Sequence, residues 1–318
     1  MTVIPRLDPH LRPLGWATLV ANCVLVVTGG AVRLTASGLG CPTWPRCKGD
    51  AFTPRHALSV HSAIEFGNRT LTFVLVAIAI ATFVAAWQSG RRDLRTVALV
   101  IALGIPAQAV IGGITVLTDL NPWIVSLHLL VSLAIIALSV LFLRRLDGPA
   151  PIGHPGPIGL LATLNSAVGW VVLYVGTVVT GSGPHAGDAD APRNGLDPLQ
   201  ISQVHADVVF LFVGLTVGLV FALPAVGASA EAVRAARVLL LVEVAQGAIG
   251  FVQYFTDLPV VLVGFHMLGA ALVTAAMTWL LLAVREQPAV NGSAADPAPP
   301  RRTAATGTCS TSGTAASA

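Results

Sequence analysis

Apolar residues along this chain fall into eight runs, each long enough to cross a lipid bilayer as a helix. The hydrocarbon core of a bilayer is about 30 Å thick, which takes roughly 20 helical residues to span. The runs cover residues 14–33, 64–87, 96–117, 123–143, 158–180, 203–224, 235–255 and 260–284. The first run could also be a signal peptide, because it follows Arg6 and Arg12, but its length and its Thr-Gly-Gly continuation favour a retained helix. The pattern predicts an all-α membrane protein with eight transmembrane helices.

Composition and charge agree with this prediction. Hydrophobic residues make up 54% of the chain and charged residues 10%, whereas a soluble domain has about 25% charged residues. The loops predicted on the outer side contain only the cations Arg33, Arg46, Lys48, Arg55 and Arg193. The positive-inside rule therefore predicts a multi-pass protein with both termini in the cytoplasm, and the short inner loops favour a bacterial plasma membrane. The net charge of +3 follows from this topology and indicates no nucleic-acid partner.

The two halves of the chain repeat one another. Residues 108–128, QAVIGGITVLTDLNPWIVSLH, align without a gap with residues 246–266, QGAIGFVQYFTDLPVVLVGFH, and VVTG at 26–29 recurs at 178–181. Such a repeat predicts two pseudo-repeated four-helix bundles. The predicted boundaries are an N-terminal half at 1–146, a linker at 147–157, a C-terminal half at 158–286 and a disordered tail at 287–318, which is rich in Ala, Ser, Thr, Gly and Pro.

Three histidines lie near the outer ends of even-numbered predicted helices, namely His128, His205 and His266. A single histidine in a span is most often packed and hydrogen-bonded, but polar side chains in a membrane are costly and usually face a partner in the bundle interior. Haem iron takes axial imidazoles, and four-helix bundles build such sites from facing helices. We therefore predict that His205 and His266 are axial ligands of one haem in the C-terminal half.

The N-terminal half differs at the position of His205. The alignment with the smaller gap places Asn68 opposite His205, whereas pairing His61 with His205 needs a seven-residue gap in a short loop. His61, Glu65 and Asn68 share one face of the second predicted helix. A carboxylate within a span is a functional candidate, and the alternative for Glu65 is an ion pair with Arg69. The C-terminal half is thus predicted to hold a cofactor, and the N-terminal half is predicted to be a related site that has been altered for catalysis.

Two cysteines, Cys41 and Cys47, lie in the motif CPTWPRC of the first outer loop. An oxidising compartment would permit a disulfide between them. A zinc site would need further ligands, for which His56 and His61 are the nearest candidates. The motif favours the disulfide.

Several of these motifs resemble the haem A synthase family of eight-helix membrane enzymes. The resemblance is carried by GGAVRLTASGLGCPTWPRCKG, by EFGNR and by the three histidines, and it covers roughly residues 14–285. It implies oxidation of a methyl group of haem O to a formyl group by successive hydroxylations, in haem A biosynthesis for a terminal oxidase. It also implies haem b as the cofactor on His205 and His266, Glu65 as the catalytic acid, and His128 as a residue that binds the substrate haem.

The chain departs from this family in the second predicted helix. The family commonly reads Glu-x-x-His-Arg where this chain has EFGNR at residues 65–69. Either the substrate iron is held by His128 alone, which we favour, or His61 supplies the missing imidazole. The residues predicted to bind the substrate haem are His128, Asn68, His61 and Arg69. Arg33 and Arg69, near outer helix ends, are the candidates for pairing with haem propionates.

Two other function classes fit part of the pattern. A di-haem membrane cytochrome that passes electrons without oxidising a substrate would explain the repeated histidines but not the asymmetry of Glu65 and Asn68. A transporter with parallel repeats would explain the duplication, but the spans lack obvious helix breaks beyond Pro106. The partners implied by the resemblance are haem O, membrane lipid and an unidentified electron donor, with haem O synthase and terminal oxidase assembly factors as protein candidates.

Overall fold

The computed structural model describes residues 7–47, 51–52, 60–148 and 156–286, and these residues form eight long α-helices and no β-strand. After a 3₁₀ turn at Asp8–His10, the helices are α1 (Leu11–Leu34), α2 (Val60–Gln88), α3 (Arg92–Leu117), α4 (Pro122–Leu146), α5 (Pro157–Ser182), α6 (Pro198–Ala225), α7 (Ala230–Phe255) and α8 (Val260–Arg285). Each is long and apolar enough to cross a membrane. The prediction of an all-α protein with eight transmembrane helices is confirmed.

Some helices begin earlier than the apolar runs that predicted them, because capping residues set the helix start. α6 begins at Pro198 rather than at residue 203, since the Asp197 carboxylate accepts hydrogen bonds from the amides of Leu199 and Gln200. Ser229 caps α7 in the same way. Hydropathy marks the part of a helix that lies in hydrocarbon, whereas the cap satisfies the free amides at its first turn.

The repeated Thr-Asp-Leu sequence builds the same turn twice, between α3 and α4 and between α7 and α8. Asp119 and Leu120 have φ angles of 50° and 61°, and Asp257 and Leu258 both have a φ of 57°. In each turn the leucine amide donates to the carbonyl five residues earlier at 2.8 Å. The duplication seen in the sequence is therefore also a duplication of backbone geometry.

Each set of four consecutive helices packs as a ring. In the first ring α1 contacts α2 and α4, and α3 contacts the same two helices; α5 to α8 repeat this arrangement. No pair of Cα atoms closer than 8 Å joins α2 to α4 or α6 to α8. The even-numbered helices, which contain the candidate histidines, therefore lie diagonally opposite one another in each ring.

The two rings join through α1, α4, α5 and α8. α8 packs on α1 and α4, and α4 packs on α5. The largest apolar cluster includes this junction, with Leu133 of α4 and Met277 of α8 among its buried members. A Cβ atom at Gly30 would lie 2.5 Å from Sδ of Met267, so the close approach of α1 to α8 requires a glycine there.

The domain boundaries stay a prediction. The predicted linker at 147–157 lies mostly outside the described residues, and the predicted disordered tail at 287–318 lies wholly outside them. The Cys41–Cys47 disulfide, in contrast, is present as predicted, with an S–S distance of 1.99 Å. Within the described segments no three His, Cys, Asp or Glu side chains form a metal cluster, and His56, one of the zinc candidates, lies outside those segments.

Candidate functional site

His128 on α4 and His266 on α8 lie at equivalent positions in the two rings, and each imidazole packs on a glycine of the preceding helix. A Cβ atom at Gly112 of α3 would lie 3.1 Å from Cε1 of His128. A Cβ atom at Gly250 of α7 would lie 3.5 Å from Cε1 of His266. The two repeated glycines therefore leave room for the imidazole rings. Small residues of this kind also let membrane helices approach one another closely.

A repeated glutamine holds the backbone beside each of these histidines. Nε2 of Gln108 donates to the carbonyl of His128, and Nε2 of Gln246 donates to the carbonyl of His266, both at 2.9 Å. These bonds tie α3 to α4 and α7 to α8 at the level of the imidazoles. The glutamines that the repeat places in register thus position the histidine-bearing helices.

His205 on α6 packs on α5 in the same manner. A Cβ atom at Gly176 would lie 3.1 Å from Cε1 of His205. The Nδ1 atoms of His128, His205 and His266 are buried and have no hydrogen bond of ordinary geometry within the described residues, although the carbonyl of Val172 interacts with the His205 ring. A histidine that serves only for packing normally has its ring nitrogens satisfied, so these three rings differ from ordinary core histidines.

The placement of His205 and His266 fits a haem held by two imidazoles. They lie on α6 and α8, which are diagonally opposite in the second ring and have no direct contact with each other. A histidine that binds a metal uses one ring nitrogen for the metal and directs the other to a neighbouring acceptor. The glycine cradles leave room for the two rings, and the carbonyl of Val172 is such an acceptor for His205.

In the first ring, the alignment with the smaller gap places Asn68 of α2 opposite His205 of α6. The Oδ1 atom of Asn68 accepts a hydrogen bond from Oγ1 of Thr28 on α1 at 2.8 Å. Through the VVTG repeat, Val24 of α1 aligns with Gly176. At these two aligned positions the first ring has Asn68 and Val24, whereas the second ring has His205 and the glycine that makes room for it.

Glu65 and Arg69 form the ion pair that the sequence left as an alternative role for Glu65. Glu65 is 5% exposed, and its Oε1 accepts from Nη2 of Arg69 at 2.5 Å. Its Oε2 accepts from the backbone amide of Cys41 at 2.6 Å, and Arg69 also donates to the Cys41 carbonyl at 3.1 Å. We call Glu65, Arg69 and the Cys41–Cys47 disulfide the loop clasp, because together they join α2 to the first outer loop.

The remaining candidates are held by other contacts. Nδ1 of His61 is 3.0 Å from Oγ of Ser37 in the first outer loop, and the His61 side chain is exposed. Arg33 donates to the carbonyls of His185 and Thr180 at 2.5 and 2.7 Å. Arg33 therefore ties the end of α1 to the outer loop of the second half.

One buried acid, Glu243 of α7, is not among the site residues predicted from the sequence. It is 4% exposed and accepts a hydrogen bond from Thr216 of α6. The signal was present, because Glu243 is the only charged residue inside the apolar run from 238 to 255 of the sequence. Its aligned residue in the first half is Ile105.

Comparison with known proteins agrees with this arrangement. The family model COX15-CtaA, described as cytochrome oxidase assembly protein, matches residues 12–192, which is more than half of the chain. The chain is 24% identical over 283 residues to a protein named heme A synthase from Staphylococcus epidermidis, covering 80% of this chain and 90% of that protein. Shorter matches to proteins of the same name are 31% identical over 125 residues in Geobacillus thermodenitrificans (39% of this chain, 38% of that protein) and 30% identical over 143 residues in Bacillus licheniformis (44% and 46%). The protein described here belongs to the COX15-CtaA family of cytochrome oxidase assembly proteins.

Proposed function

We propose that this protein converts haem O into haem A within the membrane. A methyl group of haem O is hydroxylated twice, and each hydroxylation consumes one dioxygen, two electrons from the electron donor and two protons and releases one water. The resulting hydrate loses water to leave a formyl group. Family membership and the relatives named heme A synthase support this function. The observation that carries it is the asymmetry of the two rings. In the second ring His205 and His266 lie on diagonally opposite helices. In the first ring the position aligned with His205 is Asn68, and the buried carboxyl group of Glu65 lies three residues before it.

The cofactor in this proposal is a haem b, whose iron His205 and His266 would hold. When bound, such a haem supplies one-electron redox chemistry. Gly176 and Gly250 provide the space in which the two rings lie, and Gln246 holds the backbone of His266. Replacing either histidine by alanine is expected to remove the b-type absorbance of the purified protein, whereas unchanged spectra would place the haem elsewhere.

In the first ring, His128 is proposed to bind the iron of the substrate haem without a second imidazole. Asn68 is hydrogen-bonded to Thr28, and His61 is hydrogen-bonded to Ser37 in the outer loop. Binding of haem O should therefore survive His61→Ala and be lost with His128→Ala, as measured by the absorbance of the added haem. Equal losses in the two variants would assign His61 as a second ligand.

Glu65 is proposed as the catalytic carboxyl group, which positions or protonates groups at the substrate methyl. Both of its oxygens are held within the loop clasp, so the carboxyl is fixed in place. The guanidinium of Arg69 lies beside this carboxyl group. It is proposed to pair with a propionate of the substrate haem, which is an anion. The loop clasp thus combines an acid, a cation and the backbone of the first outer loop.

The variant Glu65→Gln tests this role. Glutamine keeps an oxygen that accepts from the Cys41 amide but removes the charge and the acid. We expect the b-type absorbance to be retained and haem A formation to fall by about 100-fold or more, the usual contribution of an acid–base group. Haems extracted from membranes and separated by chromatography provide the measurement. Full conversion in Glu65→Gln, with Asp207→Asn as the control at an exposed acid, would remove Glu65 from the mechanism.

The same extraction distinguishes this function from the alternatives. Protein purified from cells that make haem O is expected to contain haems of the b, o and a types. Haem b alone would favour the di-haem cytochrome that only passes electrons, for which the repeated histidines are the supporting observation. Protein without haem would favour a transporter, although all eight helices are continuous.

We further propose that the protein lies in the bacterial plasma membrane with both termini in the cytoplasm. The distribution of arginines supports this orientation, and the disulfide in the first outer loop supports an oxidising compartment on the opposite side. A reporter that is active only in the cytoplasm should be active when fused after Ala318. Lipid, an electron donor, haem O synthase and terminal oxidase assembly factors are the proposed partners.

A further inference from the structure

Glu243 lies inside the second ring and has no part in the site described above. It is on α7, three residues before Gln246, which holds the backbone of His266. Its counterpart in the first ring, Ile105, is buried and apolar. A four-helix ring of this kind therefore does not need a carboxyl group at this position in order to pack. Because a buried acid within a membrane span is costly, it is a functional candidate.

A buried polar network surrounds this acid and joins three helices. Oε1 of Glu243 accepts from Oγ1 of Thr216 on α6 at 2.7 Å, and Nδ2 of Asn165 on α5 donates to the same hydroxyl at 2.8 Å. All three side chains are buried. Oε2 of Glu243 is buried and has no hydrogen-bond partner within residues 156–286.

The network can accommodate both protonation states of Glu243. Thr216 has one hydroxyl hydrogen and two acceptors in reach, Oε1 of Glu243 at 2.7 Å and the carbonyl of Phe212 at 3.1 Å. When Glu243 is a carboxylate, Thr216 donates to it. When Glu243 is an acid, it can donate to Thr216, which then donates to Phe212 while Asn165 keeps its own bond, since a hydroxyl accepts two hydrogen bonds. A rotation of one hydroxyl therefore satisfies the hydrogen bonds of either protonation state of Glu243.

No fixed cation neutralises Glu243 within residues 156–286, since none of the side chains there forms an ion pair with it. The titratable groups on its own helix and on α5, α6 and α8 are Glu231, Arg234, Arg237, Tyr254, Tyr174, His205, Asp207, His266 and Arg285. His205 and His266, the proposed haem ligands, lie on the two helices that pack against α7. A haem iron held by these two histidines would add a charge that changes with its oxidation state to this ring.

We propose that Glu243 is a redox-linked proton site, which gains a proton when the haem between His205 and His266 gains an electron. This inference rests on the proposed function. One electron from the donor converts ferric to ferrous iron, and one proton from water converts the Glu243 carboxylate to the acid. Both are released together when the electron leaves. Charges interact strongly in a medium of low dielectric constant, so moving the two together avoids a change of net charge inside the ring. Glu243 acts on the haem through its charge and does not touch the substrate.

Redox titration of the purified, haem-loaded protein at a series of pH values tests this proposal. In the unmodified protein the midpoint potential should fall as pH rises, because loss of the proton disfavours the reduced state. The limiting slope for one proton per electron is about 59 mV for each tenfold change in proton concentration. In Glu243→Gln, a neutral side chain of the same size, the slope should be lost while the b-type absorbance is retained.

The control is Glu231→Gln, which removes the other carboxylate of α7, the one paired with Arg144; this variant should keep the slope. If Glu243→Gln fails to fold, Glu243→Ile introduces the residue that the first ring has at this position. A slope that persists without the Glu243 carboxyl group, or an unmodified protein with no slope, would overturn the redox-linked role alone. Absence of b-type absorbance from the unmodified protein would instead overturn the haem ligation in the proposed function.

Discussion

The imidazoles of His128, His205 and His266 are each paired with a glycine on the helix that precedes them in the chain. Histidines can be found in the sequence, because a polar residue inside an apolar run is conspicuous and costly. Their glycines cannot be singled out in the same way, because small residues recur in membrane helices wherever the backbones approach closely. Gly176 is the clearest case, since only the packing of α5 on α6 shows that it faces His205.

Gly176→Val tests this pairing and gives α5 the residue that α1 has at the aligned position. Even the first carbon of the new side chain would lie 3.1 Å from Cε1 of His205, so the imidazole must move. We expect the b-type absorbance per protein to fall by more than half. Gly218→Val on α6 is the control, because no atom lies within 4 Å of a Cβ there. An unchanged spectrum in Gly176→Val would show that His205 does not need this cradle.

Glu65 shows how far sequence reasoning can reach at a single residue. An acid lies within an apolar run here, four residues before Arg69. These two facts predicted either a functional carboxyl group or an ion pair, and the ion pair is present. The bond from the Cys41 amide could not be predicted. It depends on the path of the first outer loop over the start of α2.

At the scale of single elements, the lengths of the helices follow from the bilayer and their ends follow from local chemistry. The eight apolar runs predicted eight helices, since a span of hydrocarbon leaves the backbone no other way to satisfy its polar groups. The first outer loop is a different case. Its motif predicted the disulfide, whereas its attachment to α2 through the loop clasp was found only in the structure.

Removing the disulfide with Cys41→Ser and Cys47→Ser should loosen this loop without unfolding the second ring. Closing a loop of this size contributes about 2 kcal/mol in the chain-entropy model. We expect a lower melting temperature in detergent and weaker binding of added haem O, with the b-type absorbance retained. Cys23→Ser serves as the control, since Cys23 is a free cysteine on α1. A loss of the b-type absorbance would mean that the loop also supports the second ring.

For the whole molecule, the two rings are joined by buried apolar packing, by the bonds of Arg33 to the second half, and by a polar cluster at the ends of α4, α7 and α8. Arg144 of α4 pairs with Glu231 and Glu286, and its Nε is 3.0 Å from Oε2 of Glu286. Trp279 donates to Glu231 at 3.0 Å. The cluster connects the last helix of the first half to two helices of the second.

Arg144→Leu should destabilise the protein because it leaves two carboxylates without their cation. Buried pairs cost 3–5 kcal/mol when one partner is removed, and partial exposure of Glu231 reduces the expected loss to about 2 kcal/mol. Heat denaturation in detergent, followed by the b-type absorbance, measures the change. In the control Arg12→Leu the ion pair with Asp147 is mostly exposed, with side chains 57% and 61% accessible, and should contribute little. Equal effects would show that Arg144 does not join the two halves.

The number of spans, their order, the duplication and the three histidines follow from the order of amino acids alone, because hydrocarbon thickness sets span length and a gapless repeat keeps equivalent residues in register. The glycine behind each ring, the capture of Glu65 by a loop amide and the network around Glu243 do not. They depend on how far each helix is rotated about its axis, and packing between residues distant in the chain sets that rotation.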